Sequence, residues 1–439
     1  MKIKAVFTAL ILCVCVLSGG CSLGLDDSSL LHPPKNTGRE AKLESLIEQT
    51  AQESYKLKYP LSGLYRSAII TEDLNGDKKE EAIAFYRTED DEKSTNLLVM
   101  YDKGGSWKVS GSFKLGYPDV DCVQFADYDY DGVKEIFTGF SSQGTGSNTL
   151  NIFNYDPENG KSSKEDFSRS YSAFTTGDYD KDGGSELLTF DLNSDQTDAQ
   201  AVLTDYDNNE LYILSKCDMD QNVIKFENIN SGLLNKDTMG VTVDGIIENG
   251  YSSQVIYYNP DKMKLLNFPV TAGKKSISTV RNEKINCTDI DDDGFIEIPT
   301  VKSVSIKSVP ESETLAPIIN WSGINTHKNK LETKLKCVSD KDYGYYFILP
   351  ESFSDTTVTT LSSDKRVMKI YKKDSDSADG LIVSFKVFDV GTSTDDMAGY
   401  STIESYNQYI YAYKIEDDPP ISVSGDTLKE NFSLNDNSD

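Results

Sequence analysis

At 439 residues the chain is long enough for about two or three domains. Its hydrophobic share of 38% supports a buried core and argues against wholesale disorder. A formal net charge of -27 argues against nucleic acid, which demands a basic face, and against electrostatic attachment to anionic lipid.

Residues 1–20 read as a targeting segment rather than as fold. Lys2 and Lys4 form a basic head, and Ala5 to Leu17 is an apolar run too short to cross a bilayer. Leu17, Ser18, Gly19, Gly20 and Cys21 follow, a junction that resembles the lipobox of bacterial lipoproteins. The apolar residue stands four places before Cys21 rather than three, and an ordinary secretory signal cut nearby is the alternative. The resemblance implies a lipid on Cys21 and an extracytoplasmic protein anchored to the bacterial cell membrane, because more than one acyl chain holds a protein there stably. No later stretch of sequence is long and apolar enough for a membrane-spanning helix.

Residues 21–36 are polar, include Pro33 and Pro34, and read as a tether. Residues 37–60 are expected to be helical. Thr37 and Glu40 have the spacing of a capping box, Leu43, Leu46, Ile47, Ala51 and Ser54 share one face, and Tyr59-Pro60 ends the segment.

From about Ser67 the pattern changes to short strands, and an internal repeat appears. Four acidic loops share one spacing: Asp73, Asn75, Asp77, Glu81; Asp127, Asp129, Asp131, Glu135; Asp178, Asp180, Asp182, Glu186; and Asp289, Asp291, Asp293, Glu297. Tyr101-Asp102, Tyr155-Asp156 and Tyr206-Asp207 each follow the first Asp of their loop at one constant distance. The same register reaches a decayed copy, Phe226 to Gly232 with Tyr258-Asn259-Pro260, in which Gly232 stands where a carboxylate belongs. Units of about 50 residues, each with about four short strands, are the signature of propeller blades. Residues 61–339 are therefore expected to form a β-propeller of about five blades, the alternative being a larger ring completed by C-terminal strands.

Beyond Ser339 the acidic repeat stops. Residues 340–434 are expected to form a smaller α+β domain, with strands at Tyr345 to Pro350, Arg366 to Tyr371 and Leu381 to Phe388 and a helix at Ser401 to Tyr411. Residues 435–439 are a tail. Besides Cys21, the mature chain holds Cys122, Cys217, Cys287 and Cys337, dispersed and without metal-ligand spacing. Buried free thiols are the preferred reading, with one disulfide as the alternative.

Acids at positions one, three and five of a loop fold inward around a point, and a Gly at six permits the sharp turn. Position seven (Lys79, Val133, Gly184, Phe295) offers a backbone carbonyl, and the Glu at nine closes the site. Hard oxygens in this number suit Ca2+, giving up to four sites. The first loop is weaker, because Asn75 replaces an acid and Lys78 replaces the Gly. An EF-hand or dockerin loop needs an acid at twelve, where this chain has Ala84, Thr138, Thr189 and Thr300. Closure at nine resembles the FG-GAP or VCBS repeats of integrin α-chains and bacterial surface proteins. The resemblance covers roughly residues 64–337 and implies a propeller with calcium held in hairpin loops on one face. It assigns the sixteen loop residues named above as ligands and leaves the Asn228 copy without metal.

Catalytic signatures are not apparent. The two histidines, His32 and His327, do not support a triad or a zinc site built mainly from histidine. Gly144 to Ser147 lies between strands and reads as a turn rather than a phosphate cradle. Trp107 and Trp321 read as outer-strand packing rather than as sugar platforms. The expectation is a non-catalytic binding or display module for an extracellular protein or glycan. The alternative is an extracellular carboxylate-dependent glycoside hydrolase or lyase.

Overall fold

A computed structural model describes residues 38–141, 148–194, 198–208, 210–268, 279–302, 312–353, 355–373 and 380–434. The signal, Cys21, the tether with His32, Thr37, the Gly144 turn and the C-terminal tail lie outside the described residues.

Helix α1 (Arg39–Ala51) buries Leu43 and Ile47 against the first sheet. Its N-cap is Gly38, with no side-chain cap, so the capping box expected from Glu40 does not form among the described residues. The helix also stops earlier than expected. Gln52 turns left-handed at φ 60, and the chain switches to β1 (Tyr55–Leu57), which pairs with the first sheet. Strand pairing thus overrides the helical reading of residues up to 60.

The fold is mainly β, built from consecutive antiparallel sheets. In the first, β1 and β2 (Ile69–Glu72) share one edge of β3 (Glu81–Thr88), followed by β4 (Thr95–Asp102) and β5 (Trp107–Leu115). The second is a four-stranded meander of β6 (Asp119–Ala126), β7 (Glu135–Ser141), β8 (Asn148–Asp156) and β9 (Lys161–Tyr171). The third repeats it with β10 (Ala173–Gly177), β11 (Glu186–Asp191), β12 (Gln200–Asp207) and β13 (Glu210–Asp218). The fourth does so with β14 (Lys225–Asn235), β15 (Thr238–Ile247), β16 (Gly250–Asn259) and β17 (Lys264–Phe268). Apolar clusters lie between successive sheets, such as Phe85 with Phe140, and Leu203 with Val243. The two middle strands of each unit read as nearly continuous buried runs because both their faces are covered.

The last two sheets cross the expected boundary at Ser339. Strand β18 (Ile298–Lys302) begins the fifth, and β19 (Glu313–Ala316) leaves it to join the sixth. The fifth continues with β20 (Ile318–Asn325), β21 (Lys330–Asp340) and β22 (Tyr345–Ile348). In the sixth, β19 is followed by β23 (Thr357–Ser362), β24 (Val367–Lys372), β25 (Leu381–Asp389), β27 (Tyr409–Ile415) and, on the far edge, β26 (Ser401–Tyr406). After the short helix α2 (Gly425–Glu430), β28 (Phe432–Leu434) returns to pair with β22. Residues on both sides of Ser339 share one core, including Ile318, Val338, Phe347 and Phe385. The helix expected at Ser401 to Tyr411 is instead a β-hairpin turning at Asn407, with φ 52. Tyr409, Tyr411 and Tyr413 alternate at period two, and pairing with β25 satisfies their backbone.

Cys122, Cys287 and Cys337 are free and buried, and Cys217 is free and half-buried. Burial pushes the Cys122 thiol up, and it pushes that of Cys337 to about 11.

Candidate metal centres

Each acidic loop is fixed by the strands it joins. The residue before position one pairs across the ladder with the Glu at position nine, as Glu72 with Glu81, Ala126 with Glu135 and Gly177 with Glu186. Thr288 and Glu297 form the same pairing as an isolated bridge. The closing carboxylate is therefore anchored in the sheet while the other acids ride on the turn.

Inside the loop one bonding scheme recurs. The backbone N–H of position two donates to the closing Glu Oε2: Leu74 to Glu81 at 3.0 Å, Tyr128 to Glu135 at 3.1 Å, Tyr179 to Glu186 at 2.7 Å and Ile290 to Glu297 at 3.2 Å. The N–H of position seven donates to the acid at five, from Lys79, Val133, Gly184 and Phe295. The loop turns twice through left-handed backbone. Position four does so at Gly76, Tyr130, Lys181 and Asp292, and position six at Lys78, Gly132, Gly183 and Gly294. The first loop has thus moved its glycine to position four, and Lys78 takes φ 67 in its place. Sequence spacing identified the turn at six and missed the one at four.

Carboxylate oxygens converge in three of the four loops. One oxygen from each of Asp178, Asp180, Asp182 and Glu186 lies within 4.8 Å of the others, and Asp289, Asp291, Asp293 and Glu297 do the same. In the second loop Asp127, Asp129 and Glu135 converge while Asp131 stands outside the group. The acids of the first loop do not gather to that distance. Oxygens on opposite sides of a hard cation of calcium's size lie about 5 Å apart, so the gathered sets have a suitable span.

The third loop meets a stronger test. Glu186 is fully buried, its Oε2 accepts from Tyr179 and Asp180, and its Oε1 has no hydrogen-bond partner. Asp178 Oδ1 in the same loop, and Asp73 Oδ1 and Asp127 Oδ1 in the first two, are also buried without partners. A buried acceptor without a donor is costly and calls for a ligand. Burial, reinforced by nearby Asp180 and Asp205, raises Glu186 to about 9. Burial raises Glu135 to about 9 as well, with Asp129, Asp131 and Asp127 adding repulsion. Asp205, on β12, was not apparent from the repeat. It accepts from Tyr212 Oη at 2.7 Å and adds its charge to the third loop.

The fourth acidic loop already holds a cation of the chain's own. Lys334 on β21 places its ammonium 2.6 Å from Asp293 Oδ2 and 2.6 Å from Glu297 Oε1. This contact holds Asp293 below its usual range and opposes the upward push of burial on Glu297.

The decayed copy is not a loop. Phe226 to Gly232 lie within continuous β14, with a bulge between Phe226 and Asn228. A Cβ at Gly232 would stand 2.9 Å from Ile296 Cδ1, so the missing carboxylate makes room for packing from the next repeat.

Successive repeats are also tied at position eight. The N–H of Lys134 donates to the Leu74 carbonyl at 2.7 Å, that of Ser185 to the Asp127 carbonyl at 2.9 Å, and that of Ile296 to the Leu233 carbonyl at 2.9 Å. Tyr130 also donates from its hydroxyl to Asp182 of the third loop.

Both tryptophans pack into apolar clusters, Trp107 on the edge strand β5 but Trp321 on the inner strand β20 rather than on the outer strand expected. Trp107 joins the α1 cluster beneath Arg39, and Trp321 is buried with Nε1 donating to Cys337 Sγ at 3.2 Å. His327 is exposed. No helix among the described residues is long and apolar enough to cross a membrane.

No family model matches the chain, and no curated protein does. Among solved structures, a putative 6-phosphogluconolactonase from Bacteroides uniformis is similar at 13% identity, covering 73% of this chain and 85% of its own, with a TM-score of 0.32. A rhamnogalacturonan lyase from Bacillus licheniformis is similar at 10% identity, covering 85% and 93%, with a TM-score of 0.30. Similarity this low carries no argument about fold or activity.

Proposed function

We propose that the protein is a calcium-stabilised binding module of β-propeller type, displayed outside the cell on a lipid carried by Cys21, and without catalytic machinery. The observation that carries the calcium reading is the third loop, where one oxygen from each of four carboxylates lies within 4.8 Å of the others and Glu186 Oε1 is buried without a hydrogen-bond partner. Asp127, Asp129, Asp131 and Glu135, and Asp178, Asp180, Asp182 and Glu186, would hold the ion in the second and third loops. Asp73, Asn75, Asp77 and Glu81 would hold it more weakly in the first. The family-like acid spacing and the succession of antiparallel four-stranded units support the propeller reading.

The acids with the largest upward displacement, Glu135 and Glu186, sit among other loop acids that share a ligand role. That placement favours a metal-stabilised binder over a carboxylate-dependent hydrolase or lyase. Calcium here organises the loops and offsets their mutual repulsion.

The test is a melting curve of the purified ectodomain with calcium and with a chelator, alongside elemental analysis. A fall in melting temperature reversed by calcium supports the reading, and an unchanged curve with no bound calcium overturns it. Membrane fractionation of Cys21→Ala tests the anchor: the variant should leave the membrane fraction.

A further inference from the structure

A cavity of about 930 Å³ lies where the fourth and fifth sheets meet the β26–β27 hairpin of the sixth. Its volume is in the range of small-molecule sites, about 300–1,000 Å³. Its lining includes Trp321 and Tyr346 from the fifth sheet and Tyr406, Tyr409 and Tyr411 from the hairpin. Tyr406 is 46% exposed, uncommon for so large a side chain here, and stands beside the turn at Asn407. Tyr409 is held by an edge contact with Tyr343, ring centroids 5.2 Å apart, so part of the aromatic wall is fixed in advance.

Amides line the cavity as well. Asn228 and Asn230 reach the cavity from β14, the strand that replaced an acidic loop. Asn286 also lines it, and its Oδ1 is buried without a hydrogen-bond partner. Aromatic faces beside carboxamides suit a ligand with apolar C–H faces and a rim of hydroxyls. A wholly apolar ligand would leave these amides unpaired at a cost.

The local charge is opposite to that of the chain. Lys284 and Lys341 line the cavity, and its one carboxylate, Asp342, is paired with Lys365 at 2.6 Å. Lys284 is paired with Glu227, whereas Lys341 has no salt bridge within the described residues. Burial draws the Lys341 ammonium below its usual range, Arg281 and Lys284 add to this and Glu283 opposes it. Lys341 is exposed at the cavity, where an incoming anion can reach it.

We propose that this cavity binds a short acidic oligosaccharide, its rings against Tyr406 and Tyr409, its hydroxyls on the asparagine amides and its carboxylate on Lys341. The inference rests on the binding-module reading and gives it a ligand class and a place.

The test is calorimetric titration of the calcium-loaded ectodomain with trigalacturonate, a chondroitin tetrasaccharide, cellotriose and a pentaglutamate peptide. At least one acidic saccharide should bind, with the neutral sugar and the peptide weaker. Lys341→Ala should weaken that binding about tenfold, the worth of one hydrogen bond to a charged group, and Tyr406→Ala should weaken it as well. Lys103→Ala, on the exposed β4–β5 turn outside the cavity lining, should leave affinity unchanged. Three results would overturn the proposal: no binding of either acidic saccharide, binding indifferent to both cavity variants, or preference for the peptide. A calcium-dependent melting curve in the same samples would show that the calcium-stabilised fold stands apart from any of these results.

Discussion

Lys334 and Glu297 are partners across the fourth acidic loop: an ammonium from β21 meets the closing carboxylate at 2.6 Å and reaches Asp293 as well. A lysine there does internally what a bound ion would do in the second and third loops. Replacing it by Met should expose the carboxylates to repulsion without calcium, lowering stability by about 1–3 kcal/mol, between the worth of exposed and buried pairs. Calcium should then bind this loop more tightly than in the parent. Equilibrium dialysis with radioactive calcium reads the gain, and equal stoichiometry and affinity in both proteins would refute it.

Asp180→Ala should remove one calcium from the third loop and part of the thermal stabilisation. Metal that binds only the native state contributes about 2.7 kcal/mol at a hundredfold excess over its dissociation constant. Asp77→Ala in the first loop, whose acids do not converge, should cost less. Asn230→Ala in continuous β14 should leave calcium binding unchanged. Parallel melts at fixed free calcium compare the three.

The pH response should reverse between metal-free and calcium-loaded protein. Glu135 and Glu186 rise from 4.5 to about 9 on folding without metal, because burial and neighbouring acids penalise their charged forms. Folded values above unfolded ones mean that the stability these groups contribute is fully present below about 4.5 and is lost as pH rises through about 9. In chelator the protein should therefore melt lower at pH 8 than at pH 6. Calcium needs ionised ligands and should remove or invert that slope. Identical slopes with and without calcium would count against the loops as sites.

Ending the chain at Ser339 should damage the fifth sheet. Strands β22 and β28 pair onto it, and Ile318 and Val338 would lose their cover, at about 1.5–3 kcal/mol for each fully buried aliphatic side chain. The shortened protein should aggregate or melt well below the full chain. A cooperative melt at the original temperature would show that the final hundred or so residues fold apart.

The third loop and its neighbours were legible because ligand chemistry fixes side chains at odd positions and a carboxylate at nine, and that pattern survives without any packing information. The left-handed turn at position four was hidden because Gly76, Tyr130, Lys181 and Asp292 share no composition. Lys334 could not be assigned from spacing, since it reaches the loop through sheet pairing from a distant strand. The hairpin at Ser401 is hidden in the sequence although its tyrosines alternate, because so short a segment carries little periodic signal until a neighbouring strand is known. The boundary at Ser339 followed the end of the acidic repeat, whereas strand exchange by β19, β22 and β28 is a tertiary choice.

The position-eight ties make the loops a one-dimensional array with nearest-neighbour coupling rather than a set of separate beads. Disordering the second loop loosens the acceptor for Ser185 and the hydroxyl anchor on Asp182, so loss of one ion should lower its neighbour's affinity as well. The coupling runs from Leu74 through Lys134 and Ser185 and is interrupted at the fourth repeat, where the acceptor for Ile296 is Leu233 on a plain strand. The first three loops should therefore fill with positive cooperativity, while the loop closed by Lys334 titrates on its own.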